Sequence, residues 1–281
     1  YSLATIRLSI PWPSTVQCQD TNGLAMSLSN RVAIITGASR GVGAEIARQY
    51  AREGACVVIN YFRSEEKAKA LQEEINLAGG KAERCYGDVT ERADMDSLVK
   101  FAIDTFGKVD VVVCNALVDY QFNPASPGAS IETVTWEMME RQMKGTVQGS
   151  MNIIQAALPN MKQNKFGKVV MIGTNLVYNP VVTYYDYNTS KAALVGLMRS
   201  LASELGPHGI RVNLLAGGLL EVTDASSLTT PEVFGFVAQG TPLRKTTTVA
   251  DFAASAIFCA SDLSNAMTGQ SISVDGGLTM P

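Results

Sequence analysis

Histidine is nearly missing from this chain: among 281 residues, His208 stands alone. A Ser-His-Asp triad is therefore excluded unless His208 itself serves, and a histidine-based metal site has no ligand set. General acid–base chemistry is left to Tyr, Lys, Asp, Glu or Cys. His208 lies in the turn-like "LGPHGIRVN" and reads as a solvated loop residue. A charge excess is missing as well. Lys and Arg number 23 against 26 Asp and Glu, a formal charge of −3, which gives nucleic acid or an anionic membrane no electrostatic footprint. No window approaches the roughly 20 apolar residues that span a bilayer. Cys-x-x-Cys is absent too. The five cysteines (18, 56, 85, 114 and 259) are odd in number, and three lie in or beside apparent strands. They read as buried free thiols in a reducing compartment, which places the protein in the cytoplasm.

What is present is an alternation. Short β-branched runs at 31–36, 56–60, 82–87, 109–114, 168–173, 210–215 and 271–274 predict strands, several of them apolar on both faces. Stretches with apolar spacing near 3.6 predict helices at 42–52, 65–78, 91–106, 131–158, 186–205 and 249–260, with Gly54, Gly79, Gly107 and Gly206 as stops. Strict β-α alternation calls for a single-domain α/β fold. Its doubly wound parallel sheet is Rossmann-like, with about seven strands and helices on both faces. The boundaries expected are an N-terminal extension over 1–25, disordered or loosely docked, and a dinucleotide-binding domain over 26–281 that starts at Met26. Residues 217–247 break the rhythm, mixing turn formers with apolar residues from Leu219 to Phe236. They follow a strand end, where open α/β sheets bind ligands. They form either a lid over an apolar substrate or an irregular packing segment.

The first strand runs into "TGASRGVGAEIARQ" (36–49), with glycines at 37, 41 and 43. Such a turn lets the backbone approach a pyrophosphate, and the helix that follows points its amides at the anion. Ser39, Arg40 and Val42 belong to the same turn. The second strand ends "INYFRSEE", with Tyr61, Arg63 and Ser64 where an NAD site usually carries a carboxylate. Two arginines and a hydroxyl favour a 2′-phosphate, so the spacing predicts NADP(H); otherwise Arg40 and Arg63 are solvated charges.

In "TYYDYNTSKAALVG" (183–196) three tyrosines precede Lys191. Tyr187 lies four residues before it, hence on the same helix face. A free phenol titrates near about 10. An ammonium about 4 Å away is worth about 4 kcal/mol at an effective dielectric near 20, which would lower that value by up to roughly three units before desolvation takes some back.

These landmarks together resemble the short-chain dehydrogenase/reductase family over nearly all of residues 28–281. They are "TGASRGVG" (36–43), Asp88-Val89, "CNAL" (114–117), "YNTSK" (187–191), "IRVN" (210–213) and "TGQSISVDGG" (268–277). The likeness is greatest to members similar to 3-oxoacyl-carrier-protein reductases. The resemblance implies that Tyr187 exchanges a proton with a carbonyl or alcohol oxygen and that Lys191 assists it and holds the nicotinamide ribose. It also implies that Thr174 takes the place of the family's substrate-binding serine. Asp88 and Val89 would border the adenine, Asn115 and Ala116 would lie along the cofactor, and Gly218 and Leu220 would follow the sixth strand beside the nicotinamide.

The chain departs from the family pattern at four places. Leu117 replaces a cofactor-facing glycine, Gly217-Gly218 replaces Pro-Gly and is expected to loosen that turn, and Thr174 replaces serine. Thr146 falls where the family has a catalytic asparagine; if the register slips, Lys144 or Gln148 matters instead. The implied activity is an NADP(H)-dependent interconversion of a carbonyl and a secondary alcohol. The substrate would be small and partly apolar, of 3-oxoacyl or specialised-metabolite type, and the protein a homodimer or homotetramer without nucleic-acid or membrane partners. The altered positions leave open an isomerase or cyclase, or a nucleotide-binding subunit without turnover.

Overall fold

The computed structural model describes residues 27–118, 120, 122–123, 128–221, 223 and 226–281. The extension, its boundary at Met26, and Cys18 lie outside the described residues. Seven strands form one sheet: β1 (Val32–Ile35), β2 (Cys56–Tyr61), β3 (Lys81–Tyr86), β4 (Val111–Cys114), β5 (Gly167–Thr174), β6 (Ile210–Gly217) and β7 (Ser271–Val274). Between them run α1 (Gly41–Arg52), α2 (Glu65–Leu77), α3 (Arg92–Phe106), α4 (Trp136–Met143), α5 (Gly149–Asn164), α6 (Tyr185–Leu205), α7 (Pro231–Gly240) and α8 (Val249–Ala260). Every pairing is parallel, in the order β3-β2-β1-β4-β5-β6-β7. The order reverses between β1 and β4, which opens a crevice at their carboxyl ends.

Side chains alternate across the strands into two cores. Ala33, Ile35, Val57, Ile59, Val111 and Val113 face α1 and α8, where Tyr50 donates to the Ala256 carbonyl at 2.8 Å. Ile34, Val58, Val112, Val169 and Met171 face α3, α5 and α6. A sheet covered on both faces explains why these strands read as continuous apolar runs.

Three expectations shift. The helix expected over 131–158 is α4 and α5 joined by a π-helical turn at Lys144–Gln148, and it runs on through Pro159 to Asn164. Gly206 does not stop α6; it starts a 3-10 turn in helical conformation, and Gly209 (φ 72°) is the left-handed residue. The segment 217–247 contains α7, none of whose residues is buried. The thiols are free, but only Cys114 and Cys259 are buried; Cys56 and Cys85, near the sheet's edge, are half-buried. His208 is exposed, as expected. No helix among the described residues is long and apolar enough to cross a membrane.

Candidate active site

The strand ends at the crevice are tied together by polar groups, of which the sequence had singled out Asn115 but not Thr36 or Asn60. The Thr36 hydroxyl, buried, donates to the Val113 carbonyl at 3.1 Å and accepts from the amides of Asn115 and Ala116. The Asn115 side chain donates to the Thr36 and Gly37 carbonyls at 2.9 and 3.2 Å. Asn60 accepts from the Gly37 amide at 3.1 Å and donates to the Gly87 carbonyl at 3.0 Å, stapling β1, β2 and β3. These bonds fix the glycine turn before anything binds to it.

A cavity of about 890 Å³ opens above them and continues to α6 and α7. Gly37, Ser39, Arg40 and Val42 line it at the start of α1, and Arg63, Ser64, Asp88 and Val89 line it around the ends of β2 and β3. Asn115, Ala116, Thr174, Tyr187, Lys191, Gly218 and Leu220 complete the expected set. The Asp88 carboxylate accepts from the Thr90 amide and hydroxyl at 2.9 and 2.8 Å, which holds it at the entry to α3.

Two expected residues are not in the lining. Tyr61 turns into the core beside Val57 and Ile59 and meets Tyr86 edge-on; Phe62 takes its place at the cavity. Strand parity dictates this, since residues 57, 59 and 61 share one face. Gly43 packs α1 onto the turn: a Cβ there would lie 2.5 Å from Asn115 Nδ2 and 2.9 Å from both Ala38 Cα and the Gly37 oxygen. The Gly217-Gly218 pair is not a loosened turn either. A Cβ on Gly217 would meet Phe252 Cε2 at 3.0 Å and one on Gly218 would meet Asp275 Cβ at 2.8 Å, so close approach explains both.

At the other end of the cavity, Tyr187 and Lys191 share one face of α6, both buried. Thr174, the last residue of β5, accepts from the Leu176 amide at 3.3 Å and lines the cavity with the phenol. Lys191 Nζ donates to the Ile172 carbonyl at 2.6 Å and lies 5.7 Å from the centroid of the Tyr187 ring. Burial lowers the lysine to about 8. The expectation that Lys191 draws the phenol below its ordinary value does not hold here. Burial pushes Tyr187 up to about 12, the Thr174 hydroxyl opposes that in part, and the ammonium sits over the ring.

The three residues weighed for the asparagine's place differ in their surroundings. Lys144 is exposed and pairs with Glu140 at 3.0 Å, and Gln148 is exposed, whereas Thr146 is buried in the π-helical turn. Its carbonyl accepts from Ser150 Oγ at 2.7 Å, while its hydroxyl is buried without a hydrogen-bond partner.

The model of the Enoyl-(Acyl carrier protein) reductase family matches residues 37–279. The chain belongs to the short-chain dehydrogenases/reductases. Within that family it is 37% identical to an uncharacterized oxidoreductase of Methylorubrum extorquens, over 89% of this chain and 98% of that one. It is 33% identical to a 3-oxoacyl-[acyl-carrier-protein] reductase of Staphylococcus aureus, over 88% and 98% of the two chains. A solved structure of 7 alpha-hydroxysteroid dehydrogenase, complexed with NADH and 7-oxo glycochenodeoxycholic acid, superposes with a TM-score of 0.82 at 33% identity. The match covers 90% of this chain and 95% of that one. The Escherichia coli enzyme of that name is 32% identical in sequence over 90% of this chain and 95% of its own. The protein is thus a short-chain dehydrogenase/reductase acting between carbonyl and alcohol, and the family's cofactor is a nicotinamide dinucleotide. The residues present fit such a group. Gly41 has a left-handed φ of 57°, and among the described residues a Cβ there would find its nearest neighbour, Thr223 Cβ, only at 4.0 Å. The amino terminus of α1 therefore opens unobstructed onto the cavity.

Proposed function

We propose that the protein is an NADP(H)-dependent reductase or dehydrogenase of a small, partly apolar carbonyl or secondary alcohol, of 3-oxoacyl or specialised-metabolite type. The observation that carries this reading is the buried Tyr187 phenol under Lys191, in one cavity with Thr174 and the glycine turn. Gly37, Ser39, Arg40 and Val42 would hold the pyrophosphate, and Asp88 and Val89 the adenine. Asn115, Ala116, Gly218 and Leu220 would flank the rest of the dinucleotide. Arg40, Arg63 and Ser64 would receive a 2′-phosphate, because the end of β2 presents no carboxylate to repel it. The bound dinucleotide supplies the hydride.

The protein's own part is the proton. With its titration pushed up to about 12, Tyr187 is a phenol at neutral pH and donates to the carbonyl oxygen as reduction proceeds. The Thr174 hydroxyl orients that oxygen. The ammonium of Lys191 over the ring favours the phenolate as the proton leaves. The protein is further read as a cytoplasmic homodimer or homotetramer.

The test is oxidation of NADPH and of NADH against a panel of ketones and 3-oxoacyl thioesters. Tyr187→Phe should lower kcat by about 10³-fold with cofactor affinity kept. Tighter binding of NADH than of NADPH would reverse the cofactor assignment. Tight binding with no turnover on any carbonyl would move the reading to an isomerase, a cyclase or a subunit without turnover.

A further inference from the structure

Tyr187 is not alone at its end of the cavity. Tyr120 and Phe122, on the segment after β4, and Tyr184, just before α6, surround its ring. Tyr120 stacks on Tyr187 with centroids 5.0 Å apart and planes 27° apart; Phe122 meets Tyr187 edge-on at 5.0 Å and 86°. Tyr184 completes the group, 5.8 Å from Tyr120 and 5.6 Å from Phe122. All four rings line the cavity.

The lining also carries the aliphatic side chains of Leu176, Val182, Leu219, Val233 and Val237, beside the neutral hydroxyls of Ser226 and Thr229. Among the described residues, the charged side chains of the lining are Arg40, Arg63 and Asp88 at the adenine end, and Lys191, whose Nζ is given to Ile172. A substrate carrying an ammonium near its carbonyl would lose hydration here and meet a like charge, and one carrying a carboxylate or phosphate would lose hydration and find only Lys191, already held at Ile172. A flat ring would gain offset or edge-to-face contacts, which aromatic pairs make at centroid separations of about 4.5–7 Å.

We propose that Tyr120 and Phe122 determine specificity, selecting an uncharged carbonyl compound with an aromatic ring next to the carbonyl carbon. The carbonyl oxygen lies at Tyr187 and Thr174, and the ring enters the aromatic group while the aliphatic wall covers the rest. This inference deepens the oxidoreductase reading and rests on it for the carbonyl's position, so the experiment separates the two.

Binding of 1-phenylethanol and of 1-cyclohexylethanol is measured by calorimetry on protein saturated with reduced cofactor, where neither alcohol can react. The two differ in aromaticity at nearly constant size. Wild type should prefer the aryl alcohol by about tenfold, the worth of one or two ring pairs. Tyr120→Leu and Phe122→Leu should each reduce that ratio severalfold, and Tyr120→Phe, which keeps the ring, should retain it. The ratio of kcat/KM for acetophenone and cyclohexyl methyl ketone should fall in parallel, because their intrinsic reactivities cancel between wild type and variant. Absence of aryl preference in wild type, or the same preference in both leucine variants, overturns the inference. Aryl-selective binding without turnover of either ketone leaves the selectivity standing and removes the oxidoreductase reading.

Discussion

Two lysines sit at opposite ends of the sheet under nearly the same physical constraint. Lys168, second residue of β5, and Lys191, which bonds the Ile172 carbonyl near that strand's other end, are each buried and each lowered to about 8 by desolvation. Each gives Nζ to a neutral oxygen, Ser264 Oγ at 3.0 Å and the Ile172 carbonyl at 2.6 Å. Their surroundings differ. Lys168 lies near Arg31, Arg211 and Asp262, whereas Lys191 lies over a buried phenol in the cavity at the sheet's carboxyl edge. A depressed lysine is therefore not in itself the mark of a site. The acid–base partner and the open space beside it are what distinguish Lys191.

The comparison breaks most visibly in turnover. Lys191→Met should lower kcat by about 10²-fold, as loss of one preorganised electrostatic group does, while Lys168→Met should leave kcat within about twofold. Equal effects on steady-state rates would erase the distinction. A pH profile sharpens it further. Reduction requires Tyr187 protonated, which holds up to about 12, and Lys191 charged, which holds below about 8. The rate constant should be level to about pH 8 and then fall; in Lys168→Met the profile should be unchanged, and in Lys191→Arg the fall should disappear.

The smallest effect is on stability, where the two lysines should behave alike. Each gives up its proton more readily folded than unfolded. The unfolded chain therefore binds more protons between about pH 8 and the ordinary lysine range, and stability rises with pH through that window. Urea unfolding of Lys168→Met should show about 1 kcal/mol of added stability at neutral pH and a shallower rise. A wild-type midpoint that falls between pH 8 and 10 would contradict the sign.

All seven strands were legible in the sequence, the inner β1, β2, β4 and β5 because a sheet buried on both faces leaves apolar runs; the edge strands β3 and β7 are mixed in sequence and mostly half-buried. The glycine turn and the Tyr187–Lys191 pair were legible because their spacing is local. What escaped was mostly long-range. Asn60 and Thr36 act by joining strand ends that lie 23 to 79 residues apart along the chain. Tyr120 and Phe122 reach Tyr187 only after β5 has crossed. Helix α7 leaves none of its residues buried, so its apolar residues lacked the stripe that betrays an amphipathic helix. Tyr61 was an avoidable miss, since Val57 and Ile59 already named its face. The direction of Tyr187's titration was misread for a different reason: the distance to an ammonium can be guessed from spacing, but the depth of burial cannot.

The π-helical turn at Lys144–Gln148 works as a phase adjuster between α4 and α5. A π turn carries one residue more than an α turn, and each residue of a helix is worth about 100° of rotation. The extra residue lets Gln142 and Thr146 face inward on one side of the joint while Asn152 faces inward on the other, bonding the Val89 carbonyl at 2.9 Å. Winding the same residues as regular α-helix would crank one of the two helices by about that angle. Either Thr146 would leave its buried place, or Asn152 would release the segment after β3 that carries Asp88 and Val89. One residue of slack thus keeps two remote parts of the crevice in step.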